Sequence, residues 1–260
     1  MTWTDLESVR EELLALLDHS ATRQVVAFDA DSTLWMSDIA NRTWAYLLEE
    51  KLPSRSTCEE MSQLSSQYDE GRLEEIRIVK AQATGLAGFR VEELREIARA
   101  AFAAGAHSLA DVCFAGMREL IDGLRGRGAR VIVISGSPQV LVEEAARLYD
   151  IPAEDVGALR TGIVEGRLTG SLAGPLTTGE GKVVACMQMC GAPPFAAFGD
   201  APTDIPLLRS ATALAGLINP RPGLRSAAAS LGARVRCIRI PRTMSGIEVP
   251  LPDRDESTIV

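Results

Sequence analysis

The chain has only two histidines, His19 and His107, and neither lies in a Ser or Cys pattern of the kind a nucleophilic triad needs. Its five cysteines, at positions 58, 113, 186, 190 and 237, are odd in number and scattered, so they do not form a disulfide framework. A reducing cytoplasm is the expected setting. No apolar run approaches the length that spans a bilayer. No cluster of Lys and Arg breaks a net charge of −8, so the basic footprint of a nucleic-acid or anionic-membrane binder is missing. Trp35, Trp44 and Tyr46 read as packing residues, not as a platform for stacked bases. Neither internal repeats nor low-complexity tracts stand out.

What is present is a chain of 260 residues, 46% of them hydrophobic, enough to bury a substantial core. The opening "MTWTDLESVREELLALLDHS" mixes charged and apolar residues as an amphipathic helix does, and does not read as a signal peptide. Strand-like runs then recur at 25–28, 130–134, 195–198, 213–217 and 235–240, separated by segments with helical spacing. That alternation predicts an α/β fold with a Rossmann-like parallel sheet. Residues 37–110 interrupt it with helical patterns and no convincing strand, which predicts a helical domain inserted after the first strand. The core is then discontinuous, 1–36 and 111–242. A smaller interruption, "DVGALRTGIVEGRLTGSL" at 155–172, predicts a β-hairpin turning at Glu165-Gly166. Residues 243–260 form a Pro-rich, acidic tail, expected to be loosely held. The pair Cys186 and Cys190 has helical spacing but no His or further Cys nearby, which favours core packing over metal binding.

Ligands of open parallel sheets bind beyond the carboxyl ends of the strands. Collecting the polar residues there gives Asp29 and Asp31 after the first strand, and Ser135, Gly136 and Ser137 after the second. Asp200 and Asp204 follow the third, and Lys182 opens the helix before it. Two carboxylates one residue apart at a buried strand end repel unless a proton or cation lies between them. Carboxylate oxygens suit Mg²⁺, and Asp29 and Asp200 are the best ligands on offer. Ser135, the Gly136 turn and Lys182 are groups that hold a phosphate. Asp29 can then attack phosphorus as a nucleophile while Asp31 protonates the leaving oxygen and later acts as base.

These residues resemble the haloacid dehalogenase-like superfamily. "FDADSTLW" is similar to its D-x-D-x-[TV] first motif, "VIVISGS" to its second, Lys182 in "GEGKVV" to its third, and "FGDAPTDIPLL" to its GDxxxD fourth. Order and spacing agree across roughly Gln24–Ile240. "DST", "SGS", "GEGK" and the insertion resemble the phosphoserine-phosphatase-like branch, whose inserted helices form a cap. The resemblance implies Mg²⁺, an aspartyl-phosphate intermediate, and Asp31 ligating the metal through its backbone carbonyl. It makes Asp204 either a metal ligand or a partner of the metal and lysine.

A halide leaves unprotonated, so the presence of Asp31 favours a phosphate ester over a haloacid as substrate. Phosphoserine phosphatases lead one to expect a Glu nine residues after the nucleophile and a cap Arg gripping the substrate carboxylate. Here those positions carry Asp38 and Lys80, with Arg77 one turn before Lys80, and Lys is no equivalent of a bidentate clamp. Asp38 and Lys80 can equally be structural charges. Ser137-Pro138 and Thr203 also depart from the usual second and fourth motifs. The expected function is Mg²⁺-dependent hydrolysis of a small-molecule phosphomonoester, phosphoserine-like or another phosphorylated amine or alcohol. The alternatives are phosphoryl transfer through the same intermediate and ligand binding without turnover. The expected partner is a small phosphorylated substrate, with no nucleic acid and no membrane; the sequence does not indicate an oligomeric state.

Overall fold

Val25–Phe28 (β2) is apolar on both faces, as a strand covered by helices on both sides must be. In the computed structural model, which describes residues 2–19, 22–231, 234–244 and 247–249, this strand lies inside a seven-stranded sheet. The other members are β1 (Trp3–Thr4), β3 (Arg130–Pro138), β4 (Val156–Leu159), β7 (Ala196–Gly199), β8 (Leu214–Ile218) and β9 (Val235–Ile238). The order is β1-β9-β8-β7-β2-β3-β4, and every pairing is parallel. This is the expected α/β architecture. Side chains alternate across the sheet. Val26, Phe28, Val131, Val133 and Phe198 face one layer, and Ala27, Ile132, Ile134, Ala197 and Leu217 face the other. Phe28 and Phe198, neighbours on β2 and β7, stack with ring centroids 4.6 Å apart.

Helices α1 (Leu6–Asp18), α6 (Met117–Gly126) and α7 (Gln139–Ala146) contribute to the first layer, and α8 (Glu180–Cys190), α9 (Ile205–Ser210) and α10 (Pro222–Ala227) to the second. No described helix is long and apolar enough to cross a membrane. Two sequence expectations need correcting. The opening segment is not helical from its start, because Trp3–Thr4 pairs with β9 as an edge strand. Asp5 then caps α1 by accepting the Ser8 N–H at 2.7 Å. The segment at 155–172 is likewise more than a hairpin. Its first four strand residues form β4, paired with β3, and only β5 (Thr161–Val164) and β6 (Arg167–Leu172) make the hairpin that turns at Glu165-Gly166. Hydrophobic alternation is similar in a hairpin arm and a short edge strand, so the pattern alone could not separate them. In the tail, β10 (Arg242–Met244) and β11 (Ile247–Val249) pair antiparallel, and 250–260 lie outside the described residues.

Between β2 and α6 come four helices, α2 (Ile39–Glu49), α3 (Arg55–Asp69), α4 (Glu75–Thr84) and α5 (Val91–Ala103). Trp44 Nε1 of α2 donates to the Gln82 carbonyl of α4 at 3.0 Å, tying the two together. The hairpin docks on the same unit through main-chain bonds. Gly88 N–H donates to Leu168 O at 2.8 Å, Leu168 N–H to Phe89 O at 2.9 Å, and Val91 N–H to Gly166 O at 3.0 Å. A buried carboxylate, Glu144 of α7, joins α5 to the core. Arg99 lies 3.1 Å and Arg95 3.7 Å from it, and Arg147 of the core 3.4 Å.

Replacing Glu144 with Ala removes the charge on which those arginines converge. The unfolding free energy should fall by about 1–3 kcal/mol. Urea denaturation followed by circular dichroism measures this, and an unchanged midpoint would show that the joint contributes nothing.

Candidate active site

Asp29 follows β2, where its N–H bonds to Phe198 O of β7 at 2.9 Å and fixes its direction. Its carboxylate accepts from Lys182 Nζ at 2.5 Å and from Thr33 Oγ1 at 3.1 Å. Lys182 comes from the first turn of α8 and is 3% exposed, too deep for a solvated surface lysine. The chain enters that helix so tightly that a Cβ on Gly181 would sit 1.6 Å from Leu176 O. The ammonium reaches a second carboxylate, Asp204. The other oxygen of Asp204 accepts the N–H groups of Asp200 at 3.0 Å and Ala201 at 2.9 Å. Gly199 makes room for this, since a Cβ there would fall 2.6 Å from the Asp204 carboxyl group. Asp200 is held in turn by Arg221, whose Nε reaches Oδ2 at 2.8 Å and whose N–H donates to the Asp200 carbonyl at 2.8 Å.

Asp31 has a separate set of partners. Trp35 Nε1 and the Ile39 N–H each donate to Oδ1 at 2.9 Å, and Ser137 Oγ donates to Oδ2 at 2.6 Å. Directly after Asp31 the chain turns, with Ser32 at φ 59° and the Leu34 N–H donating to Ala30 O at 2.8 Å. At the end of β3, Ser135 Oγ accepts the Ser137 N–H at 3.1 Å, and its carbonyl accepts from Thr177 Oγ1 at 2.6 Å. Asp29, Asp31, Ser135, Ser137, Lys182, Asp200, Ala201, Asp204 and Arg221 line one cavity of about 70 Å³, together with Gly136 and Thr178.

A family model for haloacid dehalogenase-like hydrolases matches residues 26–209. The chain belongs to that family. A phosphoserine phosphatase of Halobacterium salinarum is 31% identical over 205 residues, which span 77% of this chain and 88% of that protein. Among solved structures, a protein of unknown function from Bordetella pertussis Tohama I aligns with a TM-score of 0.70 at 22% identity, covering 84% of this chain and 99% of its own. A phospho-aspartyl intermediate analogue of phosphoserine phosphatase aligns with a TM-score of 0.54 at 20% identity, over 84% and 93%. Within the haloacid dehalogenase-like family the chain is phosphoserine-phosphatase-like, an enzyme of the phosphatase type.

One cavity of this haloacid dehalogenase-like phosphatase brings together Asp29, Asp31, Ser135, Gly136, Lys182, Asp200 and Asp204. Asp38 also lines it, while accepting the Asn41 N–H at 2.8 Å as the cap of α2. Arg77 and Lys80 do not line it and are exposed. At 100° per residue the face of α4 toward the cavity carries Glu75, Val79 and Gln82, and positions 77 and 80 fall on the opposite side. Several cavity and supporting residues escaped the sequence reading. Arg221 follows β8 and was discoverable by the strand-end rule that found the aspartates. Ser137 was collected at the strand end and noted as a departure from a motif but given no role, and Trp35 was read as packing, yet both hold Asp31. Gln82 had no signal, because its place depends on how α4 lies over the sheet.

Burial, then the neighbouring Asp204 charge, pushes Asp29 up to about 7. Burial, then the Asp38 charge, pushes Asp31 up to about 7. Asp200 rises to about 8, mainly through burial and despite Arg221. Burial opposes the Lys182 ammonium, but Asp204 and Asp29 together outweigh it and keep the group charged. Lys182 and Arg221 offset two of the three charges of Asp29, Asp200 and Asp204, and one negative charge is left uncompensated. Asp29, Asp200 and Asp204 each offer an oxygen, all within 4.8 Å of one another. A hard, oxygen-seeking divalent ion fits this donor set. Asp200 has the most available oxygen, since only its Oδ2 is engaged, by Arg221, whereas both oxygens of Asp29 and of Asp204 have protein partners.

The raised values set a direction for stability. Asp29, Asp31 and Asp200 bind protons in the folded chain at pH values where the unfolded chain has lost them, so stability falls as pH rises from about 4 to about 8. In chelator, the melting temperature should drop by several degrees between pH 5 and pH 8. Adding Mg²⁺ at pH 8 should restore most of the loss. A melting temperature that rises with pH in chelator, or ignores Mg²⁺ at pH 8, contradicts the electrostatic account.

Proposed function

We propose that the enzyme hydrolyses a small-molecule phosphomonoester, with Mg²⁺, through a phosphoryl group carried on Asp29. The observation that carries this is the buried Asp29–Lys182–Asp204 bridge beside Asp200, in one cavity with an Asp31 held by entirely different partners. Two carboxylates in distinct settings can take distinct roles. Asp29, fixed by Lys182 and Thr33, attacks phosphorus as the ester P–O bond breaks. Asp31, oriented by Trp35, Ile39 and Ser137, gives its proton to the departing oxygen. Water then attacks the phosphoryl-Asp29 bond, Asp31 takes a proton from it, and inorganic phosphate leaves.

Ser135 Oγ, the Gly136 N–H and Lys182 are the groups that bind and orient the phosphoryl oxygens. Asp29 and Asp200 would hold Mg²⁺, with Asp31 contributing its carbonyl as the family resemblance implies and Asp204 orienting Lys182. The ion supplies positive charge that offsets both the carboxylates and the phosphate. Residues 37–110 act as the cap that bounds the cavity and excludes water.

The test is phosphate release from a panel of phosphorylated amino acids, amino alcohols, sugars and nucleotides, with Mg²⁺ and with chelator. Release should require the metal and concentrate on one class. Asp29→Asn should lower turnover by about a thousandfold or more, and Asp31→Asn by about 10²–10⁴-fold, with both variants folded. A substantially active Asp29→Asn variant excludes Asp29 as nucleophile. Metal-dependent consumption of ester that yields a new ester in place of phosphate would indicate phosphoryl transfer.

A further inference from the structure

We propose that the proton Asp31 gives to the leaving group sits on its Oδ2, at the one acceptor site that no donor of the protein fills, and that Ser137 is the positioning residue that keeps it there. This rests on the phosphatase reading and assigns the acid proton of that reading to an atom. A carboxylate has about four lone-pair sites, two on each oxygen. Both sites on Oδ1 are taken, by Trp35 Nε1 and by the Ile39 N–H, at 2.9 Å each. An indole N–H and a peptide N–H donate and never accept, so neither makes room for a proton on Oδ1. Ser137 Oγ, at 2.6 Å, takes one site on Oδ2. A single site is left, on a carboxylate that lines the cavity of Asp29 and Lys182.

The three donors are themselves held. Trp35 is fully buried, its ring stacks on Tyr149 with centroids 6.5 Å apart, and the Tyr149 hydroxyl is tied to Leu34 O at 2.7 Å. The Ile39 N–H belongs to the first residue of α2. Ser137 is 7% exposed, and its N–H donates to Ser135 Oγ at 3.1 Å, which ties the holder of the acid to the hydroxyl offered to the phosphoryl group. As Asp29 bonds to phosphorus the ester P–O bond breaks, and its electron pair stays on the leaving oxygen. That oxygen takes the Oδ2 proton and departs as an alcohol. Without the Ser137 hydroxyl, Oδ2 has two open sites and the proton divides between two directions, only one of which faces the leaving oxygen. An alkoxide is a poor leaving group and needs the proton, whereas p-nitrophenolate leaves without it. A badly aimed acid therefore slows alkyl esters selectively.

Benzyl phosphate and p-nitrophenyl phosphate are similar in size and differ in leaving group, an alkoxide in the first and a stable phenolate in the second. Their kcat/KM values, measured with Mg²⁺, cover every step up to departure of the alcohol or phenol and none after it. The p-nitrophenyl-to-benzyl ratio of kcat/KM should rise by about tenfold in Ser137→Ala. It should rise also in Trp35→Phe, which keeps an aromatic ring in the core and removes the indole donor; where that variant does not fold, Ser137→Ala decides alone. Asp31→Asn, with the acid removed, should raise the ratio furthest. A ratio unchanged in Ser137→Ala or in folded Trp35→Phe overturns the proposal, including the case in which both esters slow equally, as they would if Ser137 gripped the phosphoryl group or only supported the fold. If Asp31→Asn also leaves the ratio unchanged, the acid role of Asp31 falls with it. No metal-dependent release from either ester or from the panel overturns the phosphatase reading itself.

Discussion

The Lys182 ammonium is the group on which the site's geometry depends. It sits out of water between Asp29 and Asp204, two carboxylates that would otherwise repel across the ends of β2 and β7. Each partner is tied to main chain. Asp29 is fixed through the sheet pairing to Phe198, and Asp204 through the N–H groups of Asp200 and Ala201. One side chain, from the helix α8, thus sets the position of Asp29 and, through Asp204, the loop that presents Asp200. A buried ion pair contributes little net stability once desolvation is counted. What it gives here is orientation, and the tight entry at Gly181 and the close approach at Gly199 are the local sacrifices of side chain that allow it.

Much of this was legible because the aspartates, Ser135 and Lys182 occupy strand ends and helix starts, positions that hydrophobic periodicity marks directly. Asp29 after "VVAF" and Asp200 after "FAAFG" required no knowledge of the cap. The cap residues were another matter. Placing Lys80 toward the substrate assumed a rotation of α4 that depends on tertiary contacts such as Trp44 to Gln82, and the helix presents Glu75 and Gln82 instead. Short strands gave similar trouble. Trp3–Thr4 and Val156–Leu159 are edge members of the sheet, too brief for a two-residue period to stand out. Trp35 looked like core and is core, fully buried, yet its indole N–H also holds Asp31. Composition cannot show that double use.

The two halves of the cavity obey different constraints. Its floor is charge-dense, with each carboxylate engaged by named donors, so substitutions there disturb several partners at once. Its roof takes polar groups from α2 and α4 that are anchored for structural reasons, Asp38 as a helix cap and Gln82 through Asn41. Side chains with a structural task are rigid, and a rigid acceptor discriminates between ligands better than a mobile one.

The hairpin β5–β6 grips the segment around Gly88–Val91 through backbone atoms, with N–H and C=O groups exchanged in both directions. Main-chain bonds of this kind do not ask which side chains are present. The exposed arm, Ile163 and Val164, can change without touching that grip, whereas Leu168 is buried in the core and the Arg167 guanidinium donates to Gly88 O at 2.7 Å. Variation between relatives in this stretch would then record changing surroundings of the enzyme, and not changing chemistry.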